Sequence, residues 1–290
     1  MNQQLDPANP QPGPGVYHGV PHYDYRQWPY PSKSSLFQLI DDSPAQYQWD
    51  KAHPKEKAAF EKGRGFHTLG LEPENFNDVL VFDGAKSRTA KAYKVFRAEN
   101  PTANIILQSE LYDIEGMAAA LATKKRTRDI FKHGETEVSF VWDDEETGIR
   151  LKGRADFLWG LNVVDLKMSR DPRPKSFSRD IYDYGYDVQT IYMHGLNAAQ
   201  EQSGVPKSER RVFNNFVFVA VKSSPVYDLR VYWVRPSTLM LGWERFRTAL
   251  AIYKQCIDTD MWPGWAEEYE EIGVPAWALP DEIYMKGNQS

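Results

Sequence analysis

Gly153-Arg-Ala-Asp-Phe-Leu-Trp-Gly-Leu-Asn-Val-Val-Asp-Leu-Lys167 is the stretch whose reading decides the fold. It divides into two short strands, Leu151 to Trp159 and Asn162 to Lys167, joined at Gly160-Leu161. A two-residue loop with glycine first suits a type II′ hairpin turn. In that register Trp159 pairs with Asn162 and, further inward, Asp156 faces Asp165. Directly opposed residues of an antiparallel pair have Cβ atoms roughly 4.5–5.5 Å apart, so two carboxylates there repel unless a positive charge sits between them. A hard divalent cation fits, because Mg²⁺ is usually held by one or two carboxylates with water and phosphate oxygens. Strand side chains alternate, which puts Lys167 on the side of Asp165, and Val164 and Leu166 on the opposite, apolar side. Two acids and a lysine converging at a sheet edge have the character of a phosphodiesterase centre. The alternative is a surface hairpin with a salt bridge between Asp165 and Lys167, and these three residues alone leave both readings open.

The 290 residues suffice for one large domain or two small ones, and 41% hydrophobic with 13% aromatic residues support a packed core. A single cysteine, Cys256, excludes an internal disulfide and a cysteine-held zinc or iron–sulfur site, in keeping with a reducing cytoplasm. No apolar run approaches the ~20 residues of a membrane span, and no charged-then-apolar leader opens the chain. A net charge of −5 argues against a globally basic nucleic-acid binder, while leaving room for a local groove of lysines and arginines.

Met1 to Val16, rich in Pro, Gln, Asn and Gly, reads as a disordered tail, and Tyr17 to Tyr30 as an irregular segment along the surface. The expected domain therefore spans residues 31–290. Ser32 to Trp49 predicts a helix with a serine N-cap, and Lys55 to Leu69 a second. In the second, Gly63 and Gly65 precede His67, where small residues admit a strand or a phosphate backbone. His67 beside Phe66 and Leu69 reads more readily as a core histidine than as a ligand. Lys86, Arg88, Lys91, Lys94 and Arg97 stand at near-helical spacing, a solvated face or a phosphate-tracking stripe. A strand at Ile105 to Leu107 precedes a long helix, Ser109 to Phe131, ending in Lys124, Lys125, Arg126 and Arg128. From Glu135 the pattern alternates, so Glu137 begins a strand preceding the hairpin. A Pro-rich loop after Lys167 carries Arg170, Arg173, Lys175 and Arg179. A helix from Asp183 to Gln200 follows, with Gln189 and Tyr192 on one face. Two strands, Asn215 to Val221 and Asp228 to Val234, a helix from Ser237 to Ile257 and a Trp/Pro-rich tail complete the pattern.

Together these blocks resemble the PD-(D/E)XK nuclease superfamily and, within it, the exonuclease VIII (RecE-like) branch of phages and prophages. The resemblance covers about Ser32 to Trp277. It rests on Gly63-Arg-Gly-Phe-His67-Thr-Leu-Gly-Leu-Glu-Pro73, Glu137-Val-Ser-Phe-Val-Trp142, the hairpin, Tyr182-Asp-Tyr-Gly-Tyr-Asp-Val-Gln189-Thr-Ile-Tyr192 and Trp262-Pro-Gly264. Met168 departs from the pattern, in which threonine often follows the lysine, and the long N-terminal portion of the largest relatives has no counterpart.

The resemblance implies an α/β fold with a PD-(D/E)XK restriction-endonuclease-like core, a mixed central sheet flanked by helices. It implies that Asp156, Asp165, the Leu166 carbonyl and His67 hold Mg²⁺, for which Mn²⁺ can substitute, with Glu137 close by. Lys167 would orient or deprotonate the attacking water, and Gln189 and Tyr192 would position Lys167, water or phosphate. The implied activity is hydrolysis of double-stranded DNA from its ends, 5′ to 3′, by a homo-oligomeric ring working with a single-strand annealing protein. Arg64, Arg88, Lys124, Lys125, Arg170, Arg173, Lys175 and Arg179 are the expected DNA contacts. A PD-(D/E)XK endonuclease and a catalytically inactive DNA-end-binding protein are the rival readings.

Overall fold

A computed structural model of the chain describes residues 11–53, 58–265, 269 and 271–274. The segment read as an irregular tail contains a strand, β1 (Gly15–Tyr17), and a short helix, α1 (His22–Gln27). Tyr17, Val20 and Trp28 are buried with Val141, which gives this segment a small core of its own. Lys152 fixes it from below, donating to the carbonyls of Tyr25 at 3.0 Å and Trp28 at 2.6 Å. The expectation of a tail over residues 1–30 is thus corrected for 15–30; residues 1–10 lie outside the described residues.

The helix expected from Ser32 divides into α2 (Lys33–Asp41) and α3 (Pro44–Ala52). Pro44 lacks the N–H a continuous helix needs, and Ser43 Oγ instead caps the new start by accepting from Gln46 N at 3.2 Å. Then follow α4 (Ala58–Leu71), β2 (Leu80–Phe82), α5 (Lys91–Glu99) and β3 (Ile105–Leu107), with β2 and β3 pairing in parallel. The long helix expected next breaks into α6 (Gln108–Thr123) and α7 (Lys125–Phe131). Lys124 is extended there, and the buried Thr127 hydroxyl takes up the Leu121 carbonyl at 2.7 Å.

The meander is β4 (Glu135–Asp143), β5 (Arg150–Trp159) and β6 (Asn162–Ser169). Gly160 turns at φ +58, and Leu161 is not among the non-glycine residues of positive φ, which is the II′ pattern. The basic loop expected after Lys167 is mostly helix, α8 (Pro174–Asp183), started by Pro174 at its first position. The helix expected from Asp183 begins later, as a 3-10 turn at Val188–Ile191 leading into α9 (Tyr192–Gln202), because Gly185 at φ +60 reverses the chain first. Two strands, β7 (Asn215–Lys222) and β8 (Leu229–Trp233), and α10 (Pro236–Thr259) follow.

The six-stranded sheet runs β1-β4-β5-β6-β7-β8, with β6 and β7 parallel and the other neighbours antiparallel. One face packs on α2, α8, α9 and α10 through residues such as Phe140, Phe177, Phe218 and Phe246. The other packs on α4, α6 and α7 through Phe66, Ile114, Phe157 and Val219. The expected mixed sheet flanked by helices is what forms. Its one irregular row positions the site. Strands β4 and β5 pair at Thr136↔Phe157 and at Val138↔Ala155, but not between them at Glu137 and Asp156. Pairing of β5 with β6 likewise stops at Phe157↔Val164, one step short of Asp156 and Asp165. Glu137 stands at φ +49, a left-handed conformation rare for a non-glycine residue. Ala155 and Val138 join one core, whereas Phe157 joins the other, so the alternation reverses across this row.

Candidate active site

Where β5 leaves both neighbours, its carboxylate replaces the missing ladder: Asp156 Oδ2 accepts from Leu166 N at 2.8 Å. Helix α4 brings His67 over the same gap, Nδ1 3.7 Å from Asp156 Oδ2. Ligand atoms of His67, Glu137 and Asp156 lie within 4.8 Å of one another. An imidazole nitrogen and two carboxylates suit a divalent cation. Burial holds the Asp156 carboxyl far above the usual range, at about 7; His67 and Lys167 oppose that rise, while Asp165 and Glu137 add to it. A buried acid with so little compensating charge is one that a bound cation would stabilise in its ionised form.

Asp165 faces a different set of groups. Its Oδ2 is 2.5 Å from Lys167 Nζ, and its Oδ1 accepts from the Gln189 amide. Gln189 Oε1 in turn accepts from Lys167 Nζ at 3.2 Å, closing a three-residue ring. The Asp165–Lys167 pair is close, but it is not directed as a hydrogen bond, and the buried Oδ2 has no well-formed hydrogen-bond donor. An oxygen held by charge alone, with no directed donor, fits a role as a cation ligand. Burial acts to lower the Lys167 pKa, but Asp165 and Asp156 outweigh it and raise it. The ammonium also rests 4.6 Å from the centre of the Tyr186 ring.

A cleft of about 880 Å³ opens over the His67, Glu137 and Asp156 group, lined also by His22, Arg26, Arg64 and Arg154 among others, whereas Asp165, Lys167 and Gln189 lie outside its lining. Arg154 joins its parts: Nε is 2.5 Å from Glu137 Oε2, and Nη1 donates to the Val20 carbonyl at 2.7 Å. His22 still meets solvent, yet burial in the cleft wall, then Arg154, Arg64, Arg26 and His67, push its pKa down to about 3.

Of the residues expected at the site, His67, Glu137, Asp156, Asp165, Lys167 and Gln189 are brought together. Tyr192 lines the cleft with its ring 5.3 Å from Phe140. Leu166 meets the site through its N–H on Asp156. Arg64 lines the cleft, but Arg88 is corrected. Its guanidinium is spent on Glu61, Glu110 and the Ile105 carbonyl, so it ties α4 to β3 and α6 rather than facing DNA. Lys124, Lys125, Arg170, Arg173, Lys175 and Arg179 are exposed and do not line this cleft; Arg173 is paired with Asp171 and Lys124 with Asp228. Gly65 serves packing, since a Cβ there would press on Ile106 at 3.0 Å and Ile114 at 3.1 Å. Sequence reasoning passed over Arg154, although it stands two residues before Asp156. It also missed His22 and Arg26, which reach the cleft only because β1 anchors their segment.

A family model described as "PDDEXK-like domain of unknown function (DUF3799)" matches residues 33–273. Among solved structures the chain is similar to one from Eubacterium rectale described as a "Putative exonuclease", at TM-score 0.55 and 14% identity over 89% of this chain and 88% of that one. A phage related exonuclease from Haemophilus somnus matches at TM-score 0.35 and 14% identity over 80% and 96%. No curated protein matches the sequence. The likeness to the Eubacterium rectale structure shows a shared fold.

Proposed function

The chain belongs to the PDDEXK-like family matched by its residues 33–273, and from that premise we propose that it is a divalent-metal-dependent exodeoxyribonuclease of the exonuclease VIII (RecE-like) kind. It cuts double-stranded DNA from an end, 5′ to 3′, leaving 3′ single-stranded tails for recombination. The observation that carries this reading is the division of labour on one row of the sheet. His67, Glu137 and Asp156 converge on one side, and Asp165, Lys167 and Gln189 lock together on the other. Asp156, Glu137, His67 and Asp165 would hold Mg²⁺ or Mn²⁺, which when bound polarises a phosphoryl oxygen and acidifies a water. Lys167, kept protonated by its acids and aimed by Gln189, supplies fixed positive charge where the phosphate becomes more negative. Arg154 holds Glu137 in place, and Arg26 and Arg64 line the path of the phosphate backbone. A homo-oligomeric ring and a single-strand annealing partner belong to the same proposal.

End-labelled linear duplex and covalently closed circles, each with Mg²⁺, Mn²⁺ or EDTA, test it. Linear DNA should be degraded only with metal, and circles should survive. Cut circles would make the protein an endonuclease. Binding of ends without metal-dependent cleavage would make it an inactive end-binding protein.

A further inference from the structure

Lys33 is the first residue of α2, and its side chain is buried, at 6% exposure. Three features disfavour a charge there. Lysines are almost never fully buried unless paired. The positive end of a helix dipole repels a cation, and α2 has no acid in its first turn. A second lysine shares its surroundings: Lys33 Nζ lies 5.9 Å from the centre of the Tyr186 ring, on which Lys167 rests at 4.6 Å. Burial, then Lys167, pushes the Lys33 pKa down to about 7, with Asp165 and Asp187 pulling the other way. In return Lys33 makes one hydrogen bond, to the Tyr184 carbonyl at 3.3 Å, and lies 5.1 Å from the Phe37 ring. Methionine would fill the same space without these costs. A costly buried group at the edge of a candidate site calls for a reason in the site.

The reason lies in what Lys33 holds. The Tyr184–Asp187 loop carries Tyr186 and leads into the turn bearing Gln189. The loop is pinned from the α2 side by Lys33 at the Tyr184 carbonyl and by Phe37 against Gly185. We propose that Lys33 is a positioning residue that acts on Lys167 through Tyr186: it fixes the shared ring and, by its charge, biases the Lys167 ammonium toward Asp165 and Gln189. This rests on the assignment of Lys167 to the catalytic centre.

Lys33→Met keeps the stem and removes the charge. Melting temperature, Mn²⁺ affinity by calorimetry and cleavage of linear duplex are compared with the wild type. Replacing a buried charge by an apolar group of similar volume is often neutral or stabilising, so melting should stay level or rise. With the charge that Lys33 carries when protonated gone, Mn²⁺ should bind more tightly, by up to about tenfold. The kcat should nevertheless fall by roughly ten- to a hundredfold, the scale of loss when a remote change misplaces a reacting group by an ångström. Tighter metal with slower turnover separates positioning from packing, because a merely structural lysine would lower melting temperature, metal affinity and turnover together. That joint loss, or a wild-type kcat in Lys33→Met, or a wild type that binds no Mn²⁺, would overturn the proposal. If the wild type binds Mn²⁺ but cleaves no DNA, the nuclease reading fails and the positioning role of Lys33 falls with it, an outcome distinct from a cleaving wild type matched by Lys33→Met.

Discussion

Asp165 and Lys167 do different work, and substitution should separate them. Asp165→Asn removes a candidate ligand and also releases Lys167 from its ion pair, so cleavage should be lost and Mn²⁺ affinity weakened in the same protein. Lys167→Ala leaves the acids intact and removes the cation that offsets them, so Mn²⁺ should bind at least as well while kcat falls by about 10²–10³, as when a comparable electrostatic group is deleted. Calorimetry paired with the linear-duplex assay reads both; an Asp165→Asn enzyme of normal turnover would remove the hairpin from the mechanism. Asp156 adds a pH dependence to the metal-free fold. Its folded pKa, raised to about 7 from 3.8, means that the folded state holds a proton the unfolded chain has released. Stability from this group is therefore full below about pH 4 and declines as pH rises toward 7. In EDTA, Asp156→Asn should melt like the wild type at pH 4 and progressively higher as pH rises to 7, with a level difference beyond. A difference independent of pH would show that Asp156 is not the titrating group. The two aspartates and Lys167 were legible as neighbours because a two-residue turn brings them to one row, but the direct opposition of Asp156 and Asp165 was not, since pairing ends at Phe157↔Val164 and the alternation reverses at Asp156. Lys33 was not, since a lysine code letter carries no sign of burial.

At the scale of elements, Gln189 and Asp187 depend on α10. A Cβ on Gly242 of that helix would collide with the Asp187 carbonyl oxygen and approach Thr190 Oγ1 at 2.9 Å. Asp187 is itself fully buried, with both carboxylate oxygens 2.9 Å from Arg245 Nη1, so this turn cannot retreat easily. Gly242→Ala should gain about 1 kcal/mol of helix propensity and lose roughly 1–3 kcal/mol to overpacking. The expected result is net destabilisation in urea melts together with a lower kcat, as the turn shifts Gln189 off Lys167. A more stable Gly242→Ala protein of full activity would show that the turn adapts freely. Sequence periodicity found most of the long elements, because burial imposes a repeat of two or 3.6 residues on strands and helices. It misplaced breaks set by single residues, at Pro44, Lys124 and Gly185, and turned α8 into loop because Pro172, Pro174 and the charges around them conceal its buried anchor, Phe177. Strand β1 escaped notice because it follows a Pro- and Gly-rich stretch that reads as tail, whereas the equally short β3 is wholly apolar.

The whole molecule is acidic, at −5, yet must approach a polyanion if it acts on DNA. Binding then depends on where the cations stand rather than on how many there are. Arg26, Arg64 and Arg154 line the cleft above Asp156. The other conspicuous basic run, Lys124 to Arg128, lies at the α6–α7 junction outside the cleft lining, where the extended backbone at Lys124 turns it to solvent and toward Asp228. These two groups make opposite predictions. Each phosphate contact contributes about −0.9 to the slope of log K against log salt on duplex DNA. Arg64→Ala should therefore weaken DNA binding and reduce the slope by about 1. The charge reversal Lys124→Glu with Lys125→Glu should leave the slope as it was, with only a small uniform loss of affinity at low salt from the change in net charge. Fluorescence anisotropy of a labelled duplex in EDTA, from low to high salt, measures both without cleavage. Should the reversal at the junction flatten the slope while Arg64→Ala does not, the DNA path runs over α6 and α7, and the cleft above Asp156 serves only the reacting phosphate.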